Sequence, residues 1–254
     1  MFQILTNKLE TIGQYFVFLG EICRCAVKRP LRFTQYLVEI ELLGVNSVLI
    51  ILLSGGAIGM IFALQMVSLL QPFQAEVGVG AAVAVALSRE LAPVITTLML
   101  IAKNGSAMAA ELGTMRVTEQ IDALESMAVS AVHYLVLPKV FASLVVFPIL
   151  TLLANVIGTL GAYFISVYAF DIDAASYLDY MFNFLFPRDI IVGLIKAAVM
   201  GVIVATICCF NGLRTSQGAK GVGNSATKAV VASSVSILVA DYFLTTMMLP
   251  YIYA

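Results

Sequence analysis

The chain has 254 residues, 61% of them hydrophobic and only 11% charged, against roughly 45–50% and about 25% in an ordinary soluble domain. So few charges cannot cover a water-facing surface, so with a mean hydropathy of +1.00 the composition excludes a soluble globular protein. A net charge of −1 supplies no basic field for nucleic acid. The expected fold class is an all-α integral membrane protein.

Residues 1–44 carry Leu5, Leu9, Ile12, Phe16 and Leu19 at helical spacing, with basic residues gathered from Arg24 to Arg32. This predicts an amphipathic helix lying along the membrane surface, with an elbow at Pro30. The order of charges does not match a cleavable signal peptide. A five-span domain follows over residues 45–254, with apolar stretches at about 46–70, 78–110, 136–170, 189–211 and 229–253, each at least the ~20 residues a crossing requires and the third long enough to be tilted or bent. Pro93 kinks or breaks the second, and Pro148 is a hinge candidate in the third. Gly55 with Gly59, and Gly158 with Gly161, make narrow faces suited to internal packing or to a dimer seam.

Between the second and third spans, residues 114–128 place Val117, Ile121, Leu124 and Ala128 on one helical face and Glu119, Asp122 and Glu125 elsewhere. Such a stripe should rest on the membrane surface or in a partner's groove, and periodicity does not separate the two. Eleven of the 14 basic residues fall before the first span (Lys8, Arg24, Lys28, Arg29, Arg32), as loop charges around the junction of the second and third (Lys103, Arg116, Lys139), or between the fourth and fifth (Arg214, Lys220, Lys228). The opposite loops hold Arg188 with Glu76, Asp171, Asp173, Asp179 and Asp189. The excess of positive charge in cytoplasmic loops then places the amino terminus inside and the carboxyl terminus outside.

Intramembrane charge is costly and therefore points to function. Arg89 and Glu90 are neighbours about 100° apart on a helix, so each needs another partner. A polar cavity shared by Arg89, Glu90 and Lys196 would receive an anionic head group; the competing reading is a structural network. Asp241 is expected nearer the cytoplasmic half, meeting Ser234 or Thr245. Gly218 to Ser225 mimics a phosphate loop but has Asn224 where the lysine belongs and follows a span rather than a strand, so it reads as a cytoplasmic turn. The four cysteines have no ligand or disulfide spacing, His133 is an interfacial side chain, and no nucleophile–base constellation is legible. The reading is a non-enzyme with no cofactor and no metal.

The block SRELAPVITTLMLIAKNGSAMAAELGTMRVTEQIDALESMAV, Ser88 to Val129, resembles the MlaE-type permease family, membrane subunits of bacterial lipid-transporting ABC systems. SGGAIGMIFALQ, GLIKAAV and GAKGVGNSATKAVV extend the likeness from about Val45 to Leu249. The resemblance implies a homodimer in the bacterial inner membrane, a cytoplasmic ATP-binding subunit, a periplasmic MCE-domain protein and phospholipid as cargo. It implies that Glu119, Gln120, Ile121, Asp122, Ala123 and Leu124 form a coupling helix that docks the ATPase, and that Arg89, Glu90 and Lys196 line the lipid cavity. Lys103-Asn104 departs from the arginine and small apolar residue usual in the family. The alternative is an ion- or proton-coupled carrier with Glu90 and Asp241 as relay. An intramembrane lipid enzyme ranks third.

Overall fold

A computed structural model describes residues 2–27, 33–216 and 218–253. Lys28, Arg29, Arg32 and the elbow expected at Pro30 lie outside the described residues, as do the side chains of Leu5, Lys8 and Leu9. Among the described residues the chain is all-α. In order it forms α1 (Phe2–Val27), α2 (Phe33–Gly44), α3 (Val48–Leu70), α4 (Val79–Ala86), α5 (Ala92–Leu100), α6 (Ser106–Val117), α7 (Gln120–Ser126), α8 (Leu137–Tyr168), α9 (Ala174–Phe184), α10 (Pro187–Leu213) and α11 (Gly218–Tyr253).

Among the described residues five rods are long and apolar enough to cross a membrane: Phe33–Phe73, Glu76–Val117, Val132–Tyr168, Pro187–Leu213 and Gly218–Tyr251. Several exceed the expected stretches. Residues 33–44 do not stop short of the first span; α2 runs into α3 through a single 3-10 turn at Val45–Ser47. Carbonyls loosened at that joint are recaptured by the second rod. Asn104 Nδ2 donates to the Leu43 carbonyl at 3.0 Å, Ser47 Oγ donates to Asn104 Oδ1 at 3.2 Å, and Lys103 Nζ donates to the Asn46 carbonyl. The glycine-rich start at Gly218, expected as a turn, instead opens α11. Gly218 takes φ +65 and the helix begins at once; a β-carbon on Gly221 would collide with the Ser216 carbonyl.

The second rod is continuous across Pro93. It joins α4, α5 and α6 through π turns at Leu87–Leu91 and Ile101–Gly105, the wider i→i+5 turns that recur at functional positions. Rods α8 and α10 form the centre, with α3 packed on α8 and α11 packed on α10 and α6. The α3–α8 seam answers what the small residues do. A β-carbon on Gly59 would collide with the Gly158 carbonyl, and one on Gly55 would sit 3.0 Å from the Ala154 backbone, so both glycine faces are used within this chain. In α1, Phe18 and Ile22 turn inward while Ile12 and Phe16 stay exposed.

Candidate functional site

Helix α10 buries Asp189, Val192, Gly193, Lys196, Ala197, Met200 and Gly201, the i, i+3, i+4, i+7 spacing of one face. That face lies against the π turn at Leu87–Leu91. A β-carbon on Gly193 would strike the Ser88 carbonyl, so glycine is what permits the approach. From α8, Asn155 Nδ2 donates to Ser88 Oγ at 2.8 Å. Pro93 lacks an N–H, which leaves the carbonyl four residues earlier, that of Arg89, without its helical donor. Lys196 Nζ supplies one at 3.1 Å.

The same ammonium donates to Glu90 Oε2 at 2.5 Å and has Asp241 Oδ1 at 3.0 Å, the latter an ion-pair contact without hydrogen-bond alignment. Thr245 Oγ1 lies 3.2 Å from Glu90 Oε2, its single proton shared with the nearer Asp241 carbonyl. Arg89 turns the other way: its Nε and Nη2 both lie 2.9 Å from Asp189 Oδ1. Asp189 Oδ2 accepts from the Phe186 N–H at 3.0 Å, fixing the start of α10. Arg89 and Glu90 are thus neutralised by different residues, as their angular separation requires. Two cations face three carboxylates, which leaves one formal negative charge.

Exposure divides the cluster. Lys196 and Asp189 are 0% exposed, Arg89 is 23% and Glu90 40%. The open parts of Arg89 and Glu90 line a groove of about 560 Å³ with Ala81, Ala82, Val85, Ala86, Phe184, Phe186, Thr245 and Leu249. Lys196, expected to touch a ligand, instead braces the two residues that can. Asp241 lies 23 residues after Gly218 and 12 before Tyr253, in the half of the bundle that carries α9 rather than α7. It meets Lys196, not Ser234, and Thr245 Oγ1 donates to its carbonyl at 2.8 Å. Asp189, read as a loop charge, belongs to the cluster and was missed.

At the opposite end the expected helix over 114–128 is two pieces. Helix α6 ends at Val117, Glu119 takes φ +59, and α7 runs Gln120–Ser126. Ile121 is 2% exposed and Val117 and Leu124 half-buried, so these three members of the apolar stripe pack back on the chain, while Ala128 is exposed. The outward residues include Glu119, Gln120, Asp122, Ala123, Glu125 and Met127, the last 73% exposed. Asp122 pairs with Arg116 at 2.5 Å. Lys139, counted from the sequence as a loop charge, lies within the third rod with 2% exposure. Glu39 of α2 stands at 2.8 Å and Glu111 of α6 at 2.7 Å.

Five membrane-length rods, with a charged cluster inside the half that carries α9 and a short exposed helix at the other end, are the build of a multi-pass membrane permease. The family model Permease MlaE matches residues 36–247, and the chain belongs to the MlaE permease family. It is 38% identical over 236 residues to a probable ABC transporter permease protein of Rickettsia bellii, covering 93% of this chain and 91% of that one. It is 37% identical over 233 residues to another from Synechocystis, covering 92% and 89%. It is also 38% identical over 211 residues to the intermembrane phospholipid transport system permease protein MlaE of Haemophilus influenzae, covering 83% and 81%.

Proposed function

We propose that this chain is the permease subunit of an ABC transporter that moves phospholipid across or between the membranes of a two-membrane envelope. The observation that carries the reading is the groove in which Arg89 and Glu90 open among alanines, phenylalanines and Leu249. It offers charge to a head group and apolar walls to acyl chains. Two copies form a homodimer in the bacterial inner membrane, enclosing the lipid between them, and ATP is hydrolysed by a separate cytoplasmic subunit.

The α7 end is cytoplasmic, because Lys103, Arg116, Arg214, Lys220 and Lys228 gather there and short cytoplasmic loops carry the excess of positive charge. The amino terminus is then inside and the carboxyl terminus outside. The ATPase docks on the outward face of α7 through Glu119, Gln120, Asp122, Ala123, Glu125 and Met127, while Ile121 and Leu124 tie that helix to the bundle. A periplasmic MCE-domain protein sits at the α9 end. A stroke on α7 passes along the second rod to the π turn at Arg89 and Glu90, changing which side the groove faces.

Co-purification tests the docking face. Met127→Asp together with Asp122→Lys should release the ATPase and abolish ATP-driven lipid transfer while leaving the permease folded; unchanged co-purification would contradict it. A second reading has one supporting observation, that Glu90 and Asp241 share Lys196: a proton-coupled carrier. It requires transport that follows a proton gradient and persists without any ATPase.

A further inference from the structure

We propose that the groove selects phospholipids whose head group carries a primary ammonium beside its phosphate, an ethanolamine-type zwitterion, over purely anionic head groups. This rests on the phospholipid reading above and narrows it. A site with two cations would suit an anion, yet both cations are already committed. Lys196 has no exposed surface and its ammonium faces Glu90, Asp241 and the Arg89 carbonyl. Arg89 donates Nε to Asp189 Oδ1, with Nη2 in ion-pair contact with the same oxygen.

What remains at the mouth is one donor edge and one acceptor. Among the described residues nothing accepts from Arg89 Nη1 and nothing donates to Glu90 Oε1, because the contacts of Glu90 all fall on Oε2. These two atoms belong to adjacent residues lining one groove. A phosphate oxygen on the guanidinium and an ammonium on the carboxylate match that pair, each as a charge-assisted hydrogen bond. Arg188 lies over the Phe186 ring at 4.9 Å and adds a third cation beside the groove, so the selection rests on the open Glu90 Oε1 acceptor: a head group that brings its own ammonium satisfies it, and a purely anionic one meets it with like charge. A quaternary ammonium has no N–H to give Glu90, which disfavours choline head groups. Ala81, Ala82 and Ala86 leave the room that larger side chains would take.

The test uses the intact transporter complex in nanodiscs made with equal amounts of ethanolamine, glycerol and choline phospholipids of one acyl composition, followed by mass spectrometry of the lipid retained on the purified complex. The wild type should hold ethanolamine lipid in roughly three- to tenfold excess over glycerol lipid, the size of a partly screened charge-assisted contact. Glu90→Gln should lower that ratio towards one, and Glu90→Asp should keep most of it. Wild-type retention in the supplied ratio, enrichment of the anionic lipid, or full selectivity in Glu90→Gln would each overturn the inference. If Glu90→Gln fails to assemble, the wild-type ratio alone decides. No retained phospholipid of any class would instead overturn the cargo reading itself.

Discussion

Among the described residues two lysines are buried, each facing two carboxylates from other helices. Lys139, in the half that carries α7, holds Glu39 and Glu111 and so ties α2 and α6 to α8. Lys196, nine residues into α10, holds Glu90 and Asp241 and also takes the carbonyl freed by Pro93. The first lies near a helix end, where the half-exposed Glu111 is close to water. The second lies a third of the way along its 27-residue helix, deeper than Lys139 at the third position of α8, and its partner Glu90 opens onto an apolar groove. Pairing chemistry alone therefore does not mark a functional site. Depth, a groove, and a backbone already opened by a π turn distinguish one cluster from the other.

Removing each cation tests that contrast most severely. Lys196→Met leaves Glu90 and Asp241 facing each other without a cation, and should cost about 3–5 kcal/mol, the range for breaking a buried pair. Lys139→Met should cost less, because Glu111 can turn to solvent. Thermal unfolding in detergent orders the two, and a reversed order would mean that depth is not what separates the clusters. Gly193→Ala should be intermediate, at about 1–3 kcal/mol, because its β-carbon meets backbone at Ser88 rather than a flexible side chain. Lipid transfer should fall with it while ATPase binding on α7 is retained.

The smallest effect belongs to Asp173, whose side chain caps α9 by accepting from the Ser176 N–H at 2.8 Å. That hydrogen bond holds the carboxyl below its ordinary value of 3.8. A lowered folded pKa means that the contribution is complete above the unfolded value and is lost as pH falls through the folded one. At neutral pH the cap is intact. Asp173→Ala should speed amide exchange in the first turn of α9, and Asp173→Asn, which keeps the acceptor, should change it less.

Much of this was legible in the sequence for physical reasons. A lipid solvent demands long apolar helices, so five crossing rods could be read from composition and length. Arg89 and Glu90 had to find separate partners because adjacent helical residues diverge. Asp189 was not legible, because a carboxylate at the edge of a span looks the same in one dimension whether it caps a helix or faces water. Lys139 failed for the same reason. The stripe of α7 announced a buried face without saying what buries it; Glu119 at positive φ folds it back on its own bundle. Asp241 was misplaced because the glycines after Gly218 were read as a turn, which set the start of α11 too late.

The central claim is that the groove at Arg89 and Glu90 carries lipid under control of an ATPase at the other end. A photoreactive residue at Val85, inside that groove, compared with one at Leu37, in the apolar groove between α2 and α8, tests it directly in the reconstituted complex. The account predicts phospholipid adducts at Val85 whose yield changes when ATP is added, and adducts at Leu37 that do not respond. Equal labelling at both positions, indifferent to ATP, would contradict it.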